Sequence, residues 1–378
     1  MKILLVSATM DDIKGGGNAE RTYQLCRYLQ LNEKNLSLLT LDIGLSETRK
    51  KTLSKYDFFA IPCINNRFGL FFSNFKQIAQ KIKSADIIHI IGHWSMINVI
   101  CYLYAKKYNV PYLYCPAGAY MPQGRSLIIK KIFNFFIGKK ILRNAKEVIA
   151  VTNNETKALN KYIMKPCIII PNGICTTSYH AIDHGFPKNQ FGINSPYFLF
   201  LGRLSYIKGA DLLLEAFQQI KEQFLNYSLV FAGPDDGALT TLKSLIEADE
   251  LNQRVFFTGH VSGETKSKLL HQAEYLIIPS RSEAMSIVIL EAGMCKTPAL
   301  FTDQCGINEF ADISAGIKVE ASITAISEGL VQLCQLTNQQ RKKMGEILYQ
   351  HVINNYTWEK VINQYLNLFN KLLSVKDK

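Results

Sequence analysis

The sequence predicts two α/β domains, each built on a parallel sheet. Three observations carry that prediction. The chain has 378 residues, the length of two ordinary domains. Short β-rich apolar runs alternate with helical runs along both halves, the signature of strand–helix–strand units. The segment from Asn172 to Pro196, rich in Gly, Pro, Ser, Thr, Asn and His with little periodicity, interrupts the alternation and is read as the linker.

In the first half the expected strands are 2–8, 36–42, 56–61, 86–91, 111–115, 147–151 and 167–170, with helices at 18–31, 72–83, 95–108, 126–144 and 154–162. In the second, strands are expected at 196–202, 227–233, 254–258, 275–278, 298–302 and 316–319. Its helices are expected near 208–222, 238–249, 263–271, 286–296, 322–336 and 338–354. The tail spaces Trp358, Val361, Ile362, Tyr365, Leu366 and Phe369 along one face of a last helix. Two Rossmann-like domains facing across a cleft follow from this order.

Composition is that of a soluble globular protein, 48% hydrophobic and 20% charged. The opening MKILLVSATMDD is too short for a signal peptide and is read as a first strand. The apolar stretch Ile87 to Ala105 is interrupted by His89, His93 and Asn98, and reads as strand, loop and helix rather than a membrane span. Nine scattered cysteines without a C-x-x-C pair argue for a reducing cytosol and against a disulfide framework or a zinc site. A cytoplasmic protein is expected.

Charge is lopsided. Residues 1–178 hold 25 Lys and Arg against 10 Asp and Glu; the remainder holds 18 against 21. Within the basic half, 125–146 carries seven cations and no acid, interleaved with Ile128, Ile129, Ile132, Phe133, Phe135, Phe136 and Ile137. Two readings stand: an element on an anionic membrane surface, peripheral on its inner face, or a core-packing helix with a solvated basic edge. No nucleic-acid-binding motif accompanies the charge.

The most informative feature is PSRSEAMSIVILEAGM, in which Glu283 and Glu291 follow the apolar run Tyr275 to Ile278. One carboxylate is expected in the loop at a strand's carboxyl end, the other on the helix that leaves it. Ligands bind in that crevice of an open α/β sheet. A helix start suits phosphate, and carboxylates suit hydroxyls, so the pair reads as a nucleotide-sugar site. In FLFLGRLSYIKGADLLLEAF a strand ends at Gly202, and Arg203 and Lys208 bracket the following turn. They are candidates to clamp a diphosphate, against the plainer reading of two solvated surface cations.

Gly15, Gly16 and Gly17 separate the first strand from the first helix, as a glycine-rich lip of the cleft or a mobile loop. The spacing is not that of a dinucleotide fingerprint, which disfavours a dehydrogenase. His93 stands past a strand end and is a candidate to orient or deprotonate an acceptor hydroxyl, whereas His89 inside the strand reads as core. Gly118, Tyr120 and Arg125 line the next loop, with Arg125 a candidate for an acceptor phosphate. The adjacent pairs Asp11-Asp12 and Asp235-Asp236 read as turn formers. No D-x-D tripeptide occurs, so no metal is expected and no cofactor is required.

The second-half motifs GRLSYIKGADLLLEAF, LVFAGPDDG, RVFFTGHV and IIPSRSEAMSIVILEAGMCKTPAL, with GGGNAERT, ADIIHIIGHW, VIAVTNNE and IIIPNGI before them, resemble the family-4 retaining glycosyltransferases of the GT-B fold. The resemblance covers most of the chain. It implies that Arg203 and Lys208 hold a donor diphosphate, that Glu291 binds the ribose, and that Glu283 binds the transferred sugar. It implies that amides near Ser286 and Ile287 face the phosphates, with Met285 beside them, and that Gly259 to Val261 lie near the base. The donor site it implies also takes in Gly16, Gly17, Gly202 and Gly233. The tail helix is implied to cross back, giving domains 1–178 plus 358–378, and 190–357.

Two departures stand out: Ala284, Met285 and Ser286 occupy places usually rich in glycine, and Ala117 stands where many members have His. The reading is a retaining glycosyltransferase that moves a sugar from a nucleoside-diphosphate sugar to a glycan or lipid-linked acceptor in surface polysaccharide or lipopolysaccharide synthesis. The rivals are a GT-B-type epimerase or phosphorylase, and a non-catalytic sugar-nucleotide-binding protein.

Overall fold

The computed structural model describes residues 1–32, 35–122, 126–179, 186–248 and 251–374. They form two compact units, Met1–Asn172 with Trp358–Lys378, and Gly173–Thr357.

The first unit holds seven strands: β1 Lys2–Ser7, β2 Asn35–Leu41, β3 Asp57–Ile61, β4 Ile87–Ile91, β5 Tyr112–Cys115, β6 Glu147–Ala150 and β7 Ile168–Ile169. Their order is β3-β2-β1-β4-β5-β6-β7, every pair parallel. Strands such as KILLVS and IIHII are buried along nearly their whole length, as a parallel sheet covered on both faces requires. Leu4, Val6, Leu39, Ile88, Ile90 and Tyr114 form the heart of the core.

The second unit holds β8 Tyr197–Leu201, β9 Ser228–Ala232, β10 Val255–Gly259, β11 Tyr275–Ile278, β12 Ala299–Thr302 and β13 Ile317–Val319, in the order β10-β9-β8-β11-β12-β13. These pairs are parallel too. Phe198, Phe200, Leu229 and Phe231 pack against Leu213 and Phe217 of the helix Ala210–Ile220.

Both sheets reverse their strand order in the middle, between β1 and β4 and between β8 and β11. At such a switch point the loops after the two central strands splay apart and leave a crevice.

The tail helix, Trp358–Ser374, belongs to the first unit. Its anchor is a buried arginine. Arg21 donates to Tyr365 Oη at 2.6 Å, to the Ile170 carbonyl at 2.8 Å and to Asn172 Oδ1 at 2.6 Å. Trp358 stacks on Tyr28 with ring centroids 5.8 Å apart.

Among the described residues three α-helices, Glu47–Leu53, Phe186–Phe191 and Glu309–Asp312, and a 3-10 turn at Thr176–Ser178 lie outside the sequence expectation. The first, ETRKKTL, buries only Leu53 and starts on a Ser46 cap, so it carries no apolar period to read. The expected helix 126–144 is broken into Leu127–Phe133, a π-helical turn at Asn134–Gly138, and Lys139–Asn144. Residues 180–185 of the expected linker lie outside the described residues. Among the described residues no helix is long and apolar enough to cross a membrane.

Candidate functional site

The second unit gathers its candidates at the switch point. β8 ends at Leu201 and β11 at Ile278, and the two strands are hydrogen-bonded neighbours. The loops beyond them therefore emerge side by side, although 75 residues separate Lys208 from Glu283. Lys208 Nζ lies 2.9 Å from Glu283 Oε2. The other carboxylate oxygen accepts a 2.6 Å hydrogen bond from Ser280 Oγ. Glu283 is thus fixed by two donors, and a carboxylate has lone pairs left for hydroxyl groups.

Gly209 makes this approach fit. It takes φ +71°, and a Cβ there would lie 2.0 Å from the Pro279 carbonyl oxygen. At the β8–β9 junction a Cβ on Gly233 would lie 1.9 Å from the Gly202 carbonyl oxygen, so these two backbones also touch. Arg203, next in the chain, pairs with Asp236 at 2.7 Å. Neighbouring Asp235 accepts the amides of Gly237, Ala238 and Leu239 and starts the helix Leu239–Ala248.

Arg281, which the sequence reading passed over, ties the Lys208 turn to the acidic loop. Its guanidinium makes a two-pronged bond to Asp211 at 2.8 and 2.6 Å and donates to the Tyr206 carbonyl at 2.7 Å. It lies over the Tyr206 ring at 3.9 Å, and its own amide donates to the Ile207 carbonyl.

Glu291 stands in the helix Val288–Met294 and is 7% exposed. Its Oε1 accepts from Tyr179 Oη at 2.9 Å and from Lys266 Nζ at 2.7 Å. Its Oε2 has no such bond among the described residues.

The loop between the carboxylates is stitched to the one after β12: Glu283 N–H donates to Gln304 O and Ser286 N–H to Cys305 O. That corrects one expectation. The Ser286 amide already has an acceptor, whereas among the described residues the Ile287 amide has none. Ser286 Oγ, in contrast, is fully buried without a hydrogen-bonding partner among the described residues. Met285 is buried, 5% exposed. Among the described residues no three His, Cys, Asp or Glu side chains gather as a metal site needs.

In the first unit, Gly16 and Gly17 open the helix Gly16–Leu31 behind β1. A Cβ on Gly16 would meet nothing within 4 Å, whereas one on Gly15 would press on the Asp11 carbonyl at 2.3 Å. Asp11 accepts the amides of Ile13 and Lys14, a turn role.

His93 follows β4, where it was expected, but its surroundings differ from that expectation. It is 2% exposed, boxed by Trp94, Tyr114, Tyr120 and Phe133. Nε2 meets Asn134 Oδ1 at 2.6 Å and Nδ1 meets Tyr114 Oη. Because Asn134 Nδ2 donates to the Tyr120 carbonyl, its Oδ1 must accept, which places the His93 proton on Nε2. Burial pushes the imidazole down to about 4, so it stays neutral. With both nitrogens engaged, neither is offered to an acceptor in this conformation. What His93 does is hold the π-helical turn, whose Gly138 leaves no room for a Cβ between Asn134 Oδ1 (2.4 Å away) and the imidazole (3.0 Å away).

Tyr120 is 2% exposed, and its hydroxyl, without a partner among the described residues, is pushed up to about 12 by burial. In the same loop Ala117 adopts φ +46°, a left-handed conformation that costs a non-glycine residue about 1–2 kcal/mol. Glu155 braces that turn, accepting the amides of Gly118 and Val151. Arg125 lies outside the described residues. Beyond it the broken helix turns its apolar side chains outward: Ile128 is 74% exposed, Phe135 69% and Phe136 64%.

Residues 183–351 match the family Glycosyl transferases group 1, and residues 15–178 match Glycosyltransferase Family 4. The lipopolysaccharide 1,2-N-acetylglucosaminetransferase of Salmonella typhimurium is 27% identical over 52% of this chain and 54% of its own length. The alpha-D-kanosaminyltransferase of Streptomyces kanamyceticus is 30% identical over 42% of each chain. The match thus spans about half the length of these curated relatives. The crystal structure of Anabaena HepE in complex with UDP and glucose superposes with a TM-score of 0.81 at 16% identity, covering 98% of this chain and 99% of that one.

Proposed function

This chain belongs to glycosyltransferase family 4 and has the GT-B fold, and from that premise we propose that it moves a sugar from a nucleoside-diphosphate sugar to an acceptor hydroxyl with retention of configuration. One observation carries the reading: Lys208 and Glu283 meet at 2.9 Å in the switch-point crevice, with Arg203 and Glu291 on the loops and helix beside them. Cations that meet a diphosphate and carboxylates that meet hydroxyls are what a nucleotide sugar needs.

In the proposed reaction the acceptor oxygen bonds to the anomeric carbon as the bond from that carbon to the phosphate oxygen breaks. The acceptor proton passes to the leaving diphosphate. Negative charge grows on that diphosphate, and Lys208 and Arg203 stand preorganised to meet it. Phosphate oxygens draw Arg203 from Asp236 and share Lys208 with Glu283. Glu283 takes sugar hydroxyls, and Glu291 Oε2 takes the ribose. Two cations supply the counter-charge, so no metal is assigned to the reaction. Tyr120 and Arg125 remain the acceptor residues of the proposal.

The names of the relatives and the UDP in the HepE complex support a UDP-sugar and a glycan or small-molecule acceptor. The basic first half and the outward-facing Ile128, Phe135 and Phe136 support an acceptor reached at an anionic membrane surface. A thermal-shift screen of UDP, GDP and ADP sugars tests the reading. The true donor at 100 times its dissociation constant stabilises the protein by about 2.7 kcal/mol. Stabilisation by none of them rejects a nucleotide-sugar site.

A further inference from the structure

A cavity of ≈ 520 Å³ opens in the first unit between the starts of β6 and β7, lined by Arg143, Lys146, Lys161 and Lys165. One carboxylate, Glu147, shares the lining. None of the four cations forms an ion pair with a described residue. Arg143 is set in place by its Nε, which donates to the Tyr162 carbonyl at 3.0 Å; among the described residues its two terminal nitrogens have no hydrogen-bonding partner. Four like charges around one cavity repel one another, and their natural counterpart is a multivalent anion. A second cavity of ≈ 410 Å³ shares Lys146 and adds Lys106, which extends the positive surface.

This cavity opens at the opposite edge of the sheet from the candidate site, with one link between them: the ring of Tyr162, in its lining, lies 5.2 Å from that of Tyr120. It lies at the amino ends of β6 and β7, whereas His93, Tyr120 and the glycine loop lie past carboxyl ends. β6 has four residues, so about 13 Å of strand separates the two edges. The helix segments 127–133 and 139–144 connect them. Their outer face begins with Ile128, Ile129, Ile132, Phe135 and Phe136 and ends with Lys140 and Arg143, running into the cavity. At the rim Met164 is fully exposed.

We propose that this cavity binds a phosphate-bearing anion, with Arg143 as the fork and Lys146, Lys161 and Lys165 as point charges. A single carboxylate would leave most of the positive charge unmet; a diphosphate or a phosphorylated headgroup would not. The apolar face and Met164 fit a phosphate carried on a lipid, and the cavity itself fits a free one. The inference stands on the first unit alone and does not depend on the transfer reaction.

The test uses the full chain and its Lys161→Glu/Lys165→Glu variant, both side chains being at the surface. Two probes are titrated at low and high salt: inorganic pyrophosphate, and phosphatidylcholine vesicles with and without phosphatidylglycerol. The variant is expected to melt like wild type, to keep its response to nucleotide sugar, and to bind at least one probe roughly tenfold more weakly. Loss on phosphatidylglycerol vesicles alone assigns the site to a lipid headgroup; loss of pyrophosphate binding as well assigns it to phosphate in solution. A wild-type chain that binds neither probe, or a variant that binds both as well as wild type, overturns the proposal.

Discussion

Replacing Gly209 with alanine separates two contributions at the crevice. Gly209 follows Lys208 directly and caps the helix Ala210–Ile220 with φ +71°. The left-handed conformation costs alanine about 1–2 kcal/mol. Its Cβ would also stand 2.0 Å from the Pro279 carbonyl, backbone against backbone, where no flexible side-chain end can yield. Forced overpacking of this kind adds about 1–3 kcal/mol. For a domain of this size each kcal/mol lowers Tm by roughly 2–4 °C, so a fall of about 4–20 °C is expected. The shift needed to relieve the contact moves the Lys208 turn away from the loop of Glu283. A misplacement of about 1 Å commonly lowers turnover about 100-fold. Gly192→Ala is the control. Gly192 has φ +70° with nothing within 4 Å, so it carries the conformational cost alone and leaves turnover intact. Differential scanning fluorimetry and a donor-turnover assay on both variants decide the matter. Equal Tm losses, with Gly209→Ala turning over at the wild-type rate, would show that the Pro279 contact sets neither stability nor the place of Lys208.

Three further outcomes follow from the same geometry. Arg281→Leu leaves Asp211 without its two-pronged partner and is expected to lose about 2 kcal/mol in urea unfolding; Arg281→Lys recovers little, because an ammonium cannot reproduce the fork, and full recovery by lysine would contradict this. His89 is fully buried without a hydrogen-bonding partner, and burial together with Arg21 pushes it down to about 3. Its neutral form therefore adds stability at neutral pH that is lost as pH falls from about 6.5 toward 3, at about 1.4 kcal/mol per pH unit. His89→Leu should flatten the stability–pH curve over that range, and an unchanged slope would show that the imidazole is not the group titrating. Phe135→Ser/Phe136→Ser should weaken sedimentation with anionic vesicles about tenfold or more without altering the fold; unchanged partitioning would remove the membrane reading.

Strand positions were legible because parallel strands buried on both faces read as short apolar runs between Gly, Pro and helical segments. That legibility extended to the site's address: once Gly202 and Pro279 were seen to end strands, topology placed Lys208 beside Glu283. The partners that hold these groups were not legible. Arg281 and Asp211 lie 70 positions apart, Lys266 and Glu291 lie 25 apart, and Tyr179 and Glu291 lie 112 apart; no local pattern announces such pairs. His93 shows the limit most plainly. Its place past a strand end was correct, but the Asn134 and Tyr114 bonds that occupy its ring depend on a π-helical turn that 3.6-residue periodicity cannot register.

In the proposed reaction Lys208, held by Glu283, meets the charge of a departing diphosphate. Turnover of the true donor by Lys208→Ala tests it most directly. A loss of roughly 100–1000-fold with an unchanged unfolding curve is expected. Transfer at close to the wild-type rate by a folded Lys208→Ala protein would contradict it.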